Sequence, residues 1–147
     1  MRQIRRGLLL LLLLLSGILI ACGSSEEAVA VRHIAVEAKE FTFSPADLRV
    51  KVGEKVEIEF KNFGAVEHDF NIEALPVSGE VTAHGDQHTL ATAHDHEATG
   101  TAVHVLAKAG NMGHLIFTPS QAGEYLITCT VAGHKEAGMV GKLIVTP

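Results

Sequence analysis

Along Val56, Glu57, Ile58, Glu59 and Phe60, apolar side chains fall on one side of the chain and acids on the other. A period of two is what a half-buried β-strand requires. The alternation recurs: Ile34, Val36 and Ala38 face away from His33, Ala35 and Glu37, and Leu48, Val50 and Val52 alternate with Arg49 and Lys51. Gly53-Glu54 separates the last of these runs from Val56, which predicts a hairpin between them. Further strands are predicted at 68–72, 101–107, 114–118, 124–129 and 140–145, and no stretch shows the 3.6-residue period of an amphipathic helix. Seven or eight short strands separated by turn residues predict an all-β domain, a two-sheet antiparallel Greek-key β-sandwich.

The first residues follow a different rule. Met1 to Arg6 is basic, and Gly7 to Ala21 is uncharged and contains an unbroken Leu run from Leu8 to Leu15. That is the layout of a secretory signal, and at 15 residues the apolar stretch is short for a membrane span, which needs about 20. Leu19, Ile20, Ala21 and Cys22 resemble the lipobox of bacterial lipoproteins, which implies cleavage after residue 21 and a lipid on Cys22. Residues 22–31, small and acidic at first, predict a flexible tether. The domain proper is expected over 32–147, in an exported, lipid-anchored protein facing the periplasm or cell exterior.

The whole chain has net charge −5, and three of its twelve basic residues, Arg2, Arg5 and Arg6, lie in the leader where there is no acid. The rest is therefore more acidic still. This argues against nucleic acid as a partner, because phosphate binding calls for a basic surface.

An exported protein with two cysteines, one of them lipidated, leaves Cys129 with no partner in the chain, so that thiol is reactive, bonded to another molecule, buried or metal-bound. On the strand Gly123 to Cys129, alternation turns Tyr125, Ile127 and Cys129 to one face, toward the interior of the sandwich. His134 and Met139 follow at intervals of five. A thiolate, an imidazole and a thioether suit copper, and two His with one Cys and a weak axial Met form the blue-copper set. His68, at the start of the strand His68-Asp69-Phe70-Asn71-Ile72, is the candidate second imidazole. Met112 competes on paper for the axial place but stands outside the Cys loop.

The string CTVAGHKEAGMVGKLIV resembles the C-terminal signature of the cupredoxins, and FTFSP, EHDF and FTPSQAGEYLITC fit the same family in the same order. The likeness runs from about Ile34 to Val145. Four residues on each side of His134 make a wide ligand loop, more similar to auracyanin and sulfocyanin than to plastocyanin. The resemblance implies one type 1 copper per chain with His68, Cys129, His134 and Met139 as ligands. Two variants of the pattern are excluded. The binuclear copper domain of cytochrome oxidase has a second Cys where Gly133 stands here, and multicopper oxidases flank the Cys with His where Thr128 and Thr130 stand here. Asp69 replaces an Asn common in the family, and an ionised Asp can only accept, for instance from the Thr130 hydroxyl.

The function implied is single-electron transfer between redox proteins, such as cytochromes or membrane electron-transfer complexes, with no enzymatic turnover. The alternative is a periplasmic copper chaperone or buffer. It draws on residues 73–100, read as a surface insertion that carries His84, His88, His94 and His96. His84 and His88 would share a face of a helix, and His94 and His96 could chelate a divalent ion, although a solvated loop is the favoured reading. His33, His104 and His114 read as surface positions.

Overall fold

The computed structural model describes residues 30–85 and 103–147. They contain β1 (Val31–Lys39), β2 (Thr42–Ser44), β3 (Asp47–Lys51), β4 (Lys55–Asn62), β5 (His68–Ile72), β6 (Thr82–Gly85), β7 (Val103–Ala107), β8 (Met112–Phe117), β9 (Gly123–Thr128) and β10 (Val140–Thr146). No helix occurs among the described residues. The strands form two five-stranded sheets, ordered β2-β1-β4-β8-β6 (sheet A) and β3-β10-β9-β5-β7 (sheet B).

The sandwich is the expected one, built from ten strands rather than seven or eight. The predicted hairpin across Gly53-Glu54 does not form. β3 lies parallel to β10 in sheet B, and β4 lies parallel to β1 and antiparallel to β8 in sheet A. Alternation specifies which face of a strand is buried and leaves open which neighbour it pairs with. Leu48 and Val50 enter the core from one sheet, and Val56, Ile58 and Phe60 enter it from the other. The sheets are consequently mixed rather than purely antiparallel.

Phe43, Phe60 and Phe70 meet in the middle of the core, with ring centroids 5.7 to 6.2 Å apart. Fully burying an aromatic of this size contributes about 1.5–3 kcal/mol relative to leaving it in water. Phe70 is also two residues from His68, so the core fixes the strand that presents this imidazole.

Part of the predicted insertion belongs to the sandwich. Leu75 is buried, Val77 bridges to Pro119, and β6 extends sheet A by pairing with β8. His84 is therefore on a strand and not on a helical face shared with His88. His88, His94 and His96 lie outside the described residues, as do the predicted leader, Cys22 and most of the tether.

Candidate metal centre

Strand register brings the donors together. β5 and β9 are antiparallel with Asn71 opposite Thr128. Continuing that register two residues past the ladder sets Asp69 against Thr130, with His68 and Cys129 at the same end of sheet B. β9 and β10 pair Thr128 with Val140, and one step further the Cys129 amide donates to the Met139 carbonyl at 3.2 Å. Cys129 and Met139 thus stand at the two feet of one loop.

The loop is wound by its own backbone. The His134 amide donates to the Val131 carbonyl, and the Met139 amide donates to the His134 carbonyl, at 3.0 and 2.9 Å. Gly133 and Gly138 have φ of +85° and +100°, which side-chain-bearing residues rarely adopt. A Cβ at either position would meet nothing within 4 Å, so the need is for the backbone angle and not for space. These two turns fold His134 back over the end of the sandwich, where only 8% of it is exposed.

Three donor atoms converge in the interior. His68 Nδ1 lies 3.1 Å from His134 Nδ1, and Cys129 Sγ lies 3.3 Å from His134 Nδ1 and 3.9 Å from His68 Nδ1. His68, Cys129, His134 and Met139 are all buried. Burial, followed by the neighbouring His134, pushes the His68 imidazole below its usual range and so keeps it neutral. Burial likewise pushes the Cys129 thiol up, although the Asp69 amide donates to its sulfur at 3.5 Å.

An ion bound by nitrogen at about 2.0 Å and sulfur at about 2.3 Å keeps such donors within roughly 4 Å of one another, and the observed spacings meet that condition. A second observation points the same way. With Nδ1 turned to the cluster, His68 Nε2 is buried without a hydrogen-bond partner. It faces Gly64, where an added Cβ would come within 2.8 Å of it. Donating inward at the expense of the outer nitrogen is costly unless something is bound inside.

Neighbouring residues hold the donors in place. Asp69 accepts from the Thr130 amide at 2.5 Å, from the Thr130 hydroxyl, and from His104 Nε2 at 3.0 Å. Burial would raise the Asp69 carboxyl, but these bonds outweigh it and hold it below the usual carboxylate range. Asn62 organises the segment before His68: its Nδ2 donates to the carbonyls of Val66 and Ala107, and its Oδ1 accepts from the Gly64 amide at 2.8 Å. Lys135 Nζ, on the Cys129–Met139 loop, reaches Glu73 Oε1 at 2.7 Å. Phe41, at φ 61°, presents its ring to the His134 ring at 5.0 Å, edge to face.

Residues 11–101 match the family model of the cupredoxin-like domain. The chain belongs to the cupredoxin-like family. Its copper-binding relatives include the copper-resistant cuproprotein CopI of Rubrivivax gelatinosus, 34% identical over 82% of this chain and 70% of that one. CopI of Pseudomonas aeruginosa is 27% identical over 84% and 81%. Among solved structures, auracyanin A of Chloroflexus aurantiacus, described as a "blue" copper protein, superposes with a TM-score of 0.58 at 26% identity. That match covers 80% of this chain and all of auracyanin A. Auracyanin B gives 0.59 at 25% identity, over 82% and 92%. A multicopper oxidase from Campylobacter jejuni, 12% identical with a TM-score of 0.55 over 80% of this chain and 30% of its own, shares the fold alone. The cofactor of the cupredoxin family is copper, and the His-Cys-His cluster with a buried Met at the loop's foot fits one type 1 ion.

Of the two methionines considered for this cupredoxin's axial place, Met139 is fully buried beside the cluster, whereas Met112 is 43% exposed in the other sheet. Sequence reasoning missed His104 and Asn62. The first reads as one polar residue in an alternating strand, and only its register opposite Asn71 on β5 brings it to Asp69. The second reads as a strand terminator before glycine.

Proposed function

We propose that this cupredoxin carries single electrons, using one copper held by His68, Cys129 and His134 with Met139 as the weak axial donor. The observation that carries this reading is the convergence of two imidazole Nδ1 atoms and one thiol within 3.1 to 3.9 Å in a buried pocket. Copper bound there supplies a one-electron couple, Cu(II)/Cu(I). The protein's part is to keep the donors still. Core packing through Phe70, the Asp69–Thr130 tie and the Asn62 bonds oppose rearrangement, which favours rapid electron exchange, and no substrate bond has to change.

His134 is the route out, because it is the donor on the loop that caps the sandwich. Phe41, Phe63, Val66 and Val140 are 40–57% exposed and lie on segments that carry or touch the donors. A small apolar rim of this kind suits the brief encounters of redox proteins. We further propose that Cys22 is lipidated after cleavage of residues 1–21, so that the domain works at the outer face of a membrane.

A second reading is a copper buffer or chaperone, favoured by the 34% identity to a copper-resistant cuproprotein. One experiment separates the two. Copper-loaded protein that shows an intense thiolate-to-Cu(II) visible band, abolished in Cys129→Ser, and a reversible one-electron wave supports the carrier. A colourless protein that binds several ions and gives no reversible wave supports the buffer.

A further inference from the structure

The outer face of sheet A carries a group of side chains with no part in the centre described above. Alternation turns His33 of β1, Glu57 and Glu59 of β4, His114 of β8 and His84 of β6 to the same side, away from the core. Register then aligns them. His33 is directly opposite Glu57, and His114 is directly opposite Glu59 on one side and His84 on the other.

Two contacts order the group. Glu57 Oε1 bonds His114 Nδ1 at 3.1 Å, and Glu57 Oε2 bonds His33 Nδ1 at 2.9 Å. A carboxylate on one ring nitrogen fixes the proton there and leaves the other as a free, more basic donor, which is the arrangement found behind metal-bound histidines. With Nδ1 engaged, Nε2 is the remaining nitrogen of the His114 ring, whose side chain is 36% exposed and whose register partner on β6 is His84. Directly opposite residues of an antiparallel pair have Cβ atoms about 4.5–5.5 Å apart, close enough for two imidazoles to meet at one ion. Imidazoles backed by a carboxylate suit borderline divalent cations, with Cu(II) bound more tightly than Zn(II).

We propose that His84 and His114 form a second cation site, for Cu(II) or Zn(II), on the outer face of sheet A, with Glu57 as the residue that orients His114. It is separate from the buried centre: its residues belong to sheet A, whereas His68 and Cys129 stand at the end of sheet B. The site is half-exposed, so it exchanges its ion with solvent freely, as the buried one does not. This goes beyond electron transfer, because it gives the protein a place to take up an ion without disturbing the coloured centre.

The test uses the full chain with His88→Ala, His94→Ala and His96→Ala, loaded with one equivalent of copper per chain so that only the buried centre is filled, and then titrated with Zn(II) by calorimetry. One further Zn(II) is expected to bind. His84→Ala or His114→Ala should weaken it at least ~10-fold, and Glu57→Gln should weaken it by about 10–100-fold with both imidazoles still present. All three variants should keep the visible spectrum of the buried centre, which reports that they fold. Binding that survives His114→Ala, or no Zn(II) uptake before any of these changes, overturns the proposal. Cys129→Ser keeps the two readings apart, since it should abolish the coloured ion and leave the Zn(II) uptake intact.

Discussion

Asp69 stands opposite Thr130 and takes both of its polar hydrogens, from the amide at 2.5 Å and from the hydroxyl. The two residues immediately follow His68 and Cys129, so one carboxylate ties the two donor-bearing strands just beyond the end of their ladder. It also brings a formal negative charge, held ionised by its donors, close to the centre.

Geometry and charge are separable by substitution. Asp69→Asn keeps an acceptor for the Thr130 amide and removes the charge, so stability should fall by only about 1 kcal/mol. The reduction potential should rise, because a nearby negative charge favours Cu(II) over Cu(I). A change of about 1 kcal/mol in that preference corresponds to roughly 40 mV for one electron. Asp69→Ala leaves buried donors unpaired and should cost a further 1–3 kcal/mol. Voltammetry and thermal melts of the two variants read the two effects independently, and an unchanged or lower potential in Asp69→Asn would count against the electrostatic part.

Gly64 is where the second imidazole is exposed to steric damage. A Cβ there would lie 2.8 Å from His68 Nε2 and 3.2 Å from Asn62 Oδ1, and neither neighbour can retreat because both are buried. Gly64→Ala should destabilise the protein by about 1–3 kcal/mol, as overpacking does. It should also displace the His68 ring, weakening copper retention and shifting the visible band. A variant with wild-type colour and melting temperature would show that the ring has room to move.

The core face of almost every strand was legible in the sequence, because period-two alternation is local. Pairing was not. Leu48, Val50, Val56, Ile58 and Phe60 all read correctly as inward, yet the turn at Gly53-Glu54 passes between sheets, and nothing local distinguishes that from a hairpin. The same limit applied at the centre. Cys129, His134 and Met139 are close in sequence and their spacing announced them, and His68 was recognisable from the motif around it. His104 and Asn62 act through residues far from them in the chain, Asp69 and Ala107, so their roles appear only once register is known. His84 was misplaced for the corresponding reason: four-residue spacing suggested a helix, and the edge of sheet A claimed it instead.

Copper should act as a structural clamp as well as a cofactor. Without it, the Nδ1 atoms of His68 and His134 face each other at 3.1 Å and can share only one hydrogen between them, whereas a bound cation takes a lone pair from both. Ligand present at about 1,000 times its dissociation constant adds about 4 kcal/mol. For a domain of this size that is on the order of 10 °C or more in melting temperature. Chelator-treated protein should melt lower by at least that amount and recover on addition of copper. Cys129→Ser should show a much smaller copper-dependent shift. Equal melting temperatures with and without copper would mean that the metal binds without engaging the buried donors.

The two methionines provide the last test, because they differ in position and not in chemistry. Met139 is fully buried at the foot of the ligand loop, with its amide bonded to the His134 carbonyl, while Met112 is 43% exposed on sheet A. Leu conserves volume, so Met139→Leu should cost less than about 1.5 kcal/mol in stability and preserve the fold. Loss of the thioether removes a donor that helps to stabilise Cu(II), so the potential should rise and the visible spectrum should change, since the axial ligand tunes such sites. Met112→Leu should leave potential, spectrum and copper content unchanged. If Met112→Leu moved the potential and Met139→Leu did not, the axial assignment would be reversed; the exposed sulfur would then have to reach a centre in the other sheet, which its place on the outer face of β8 opposes.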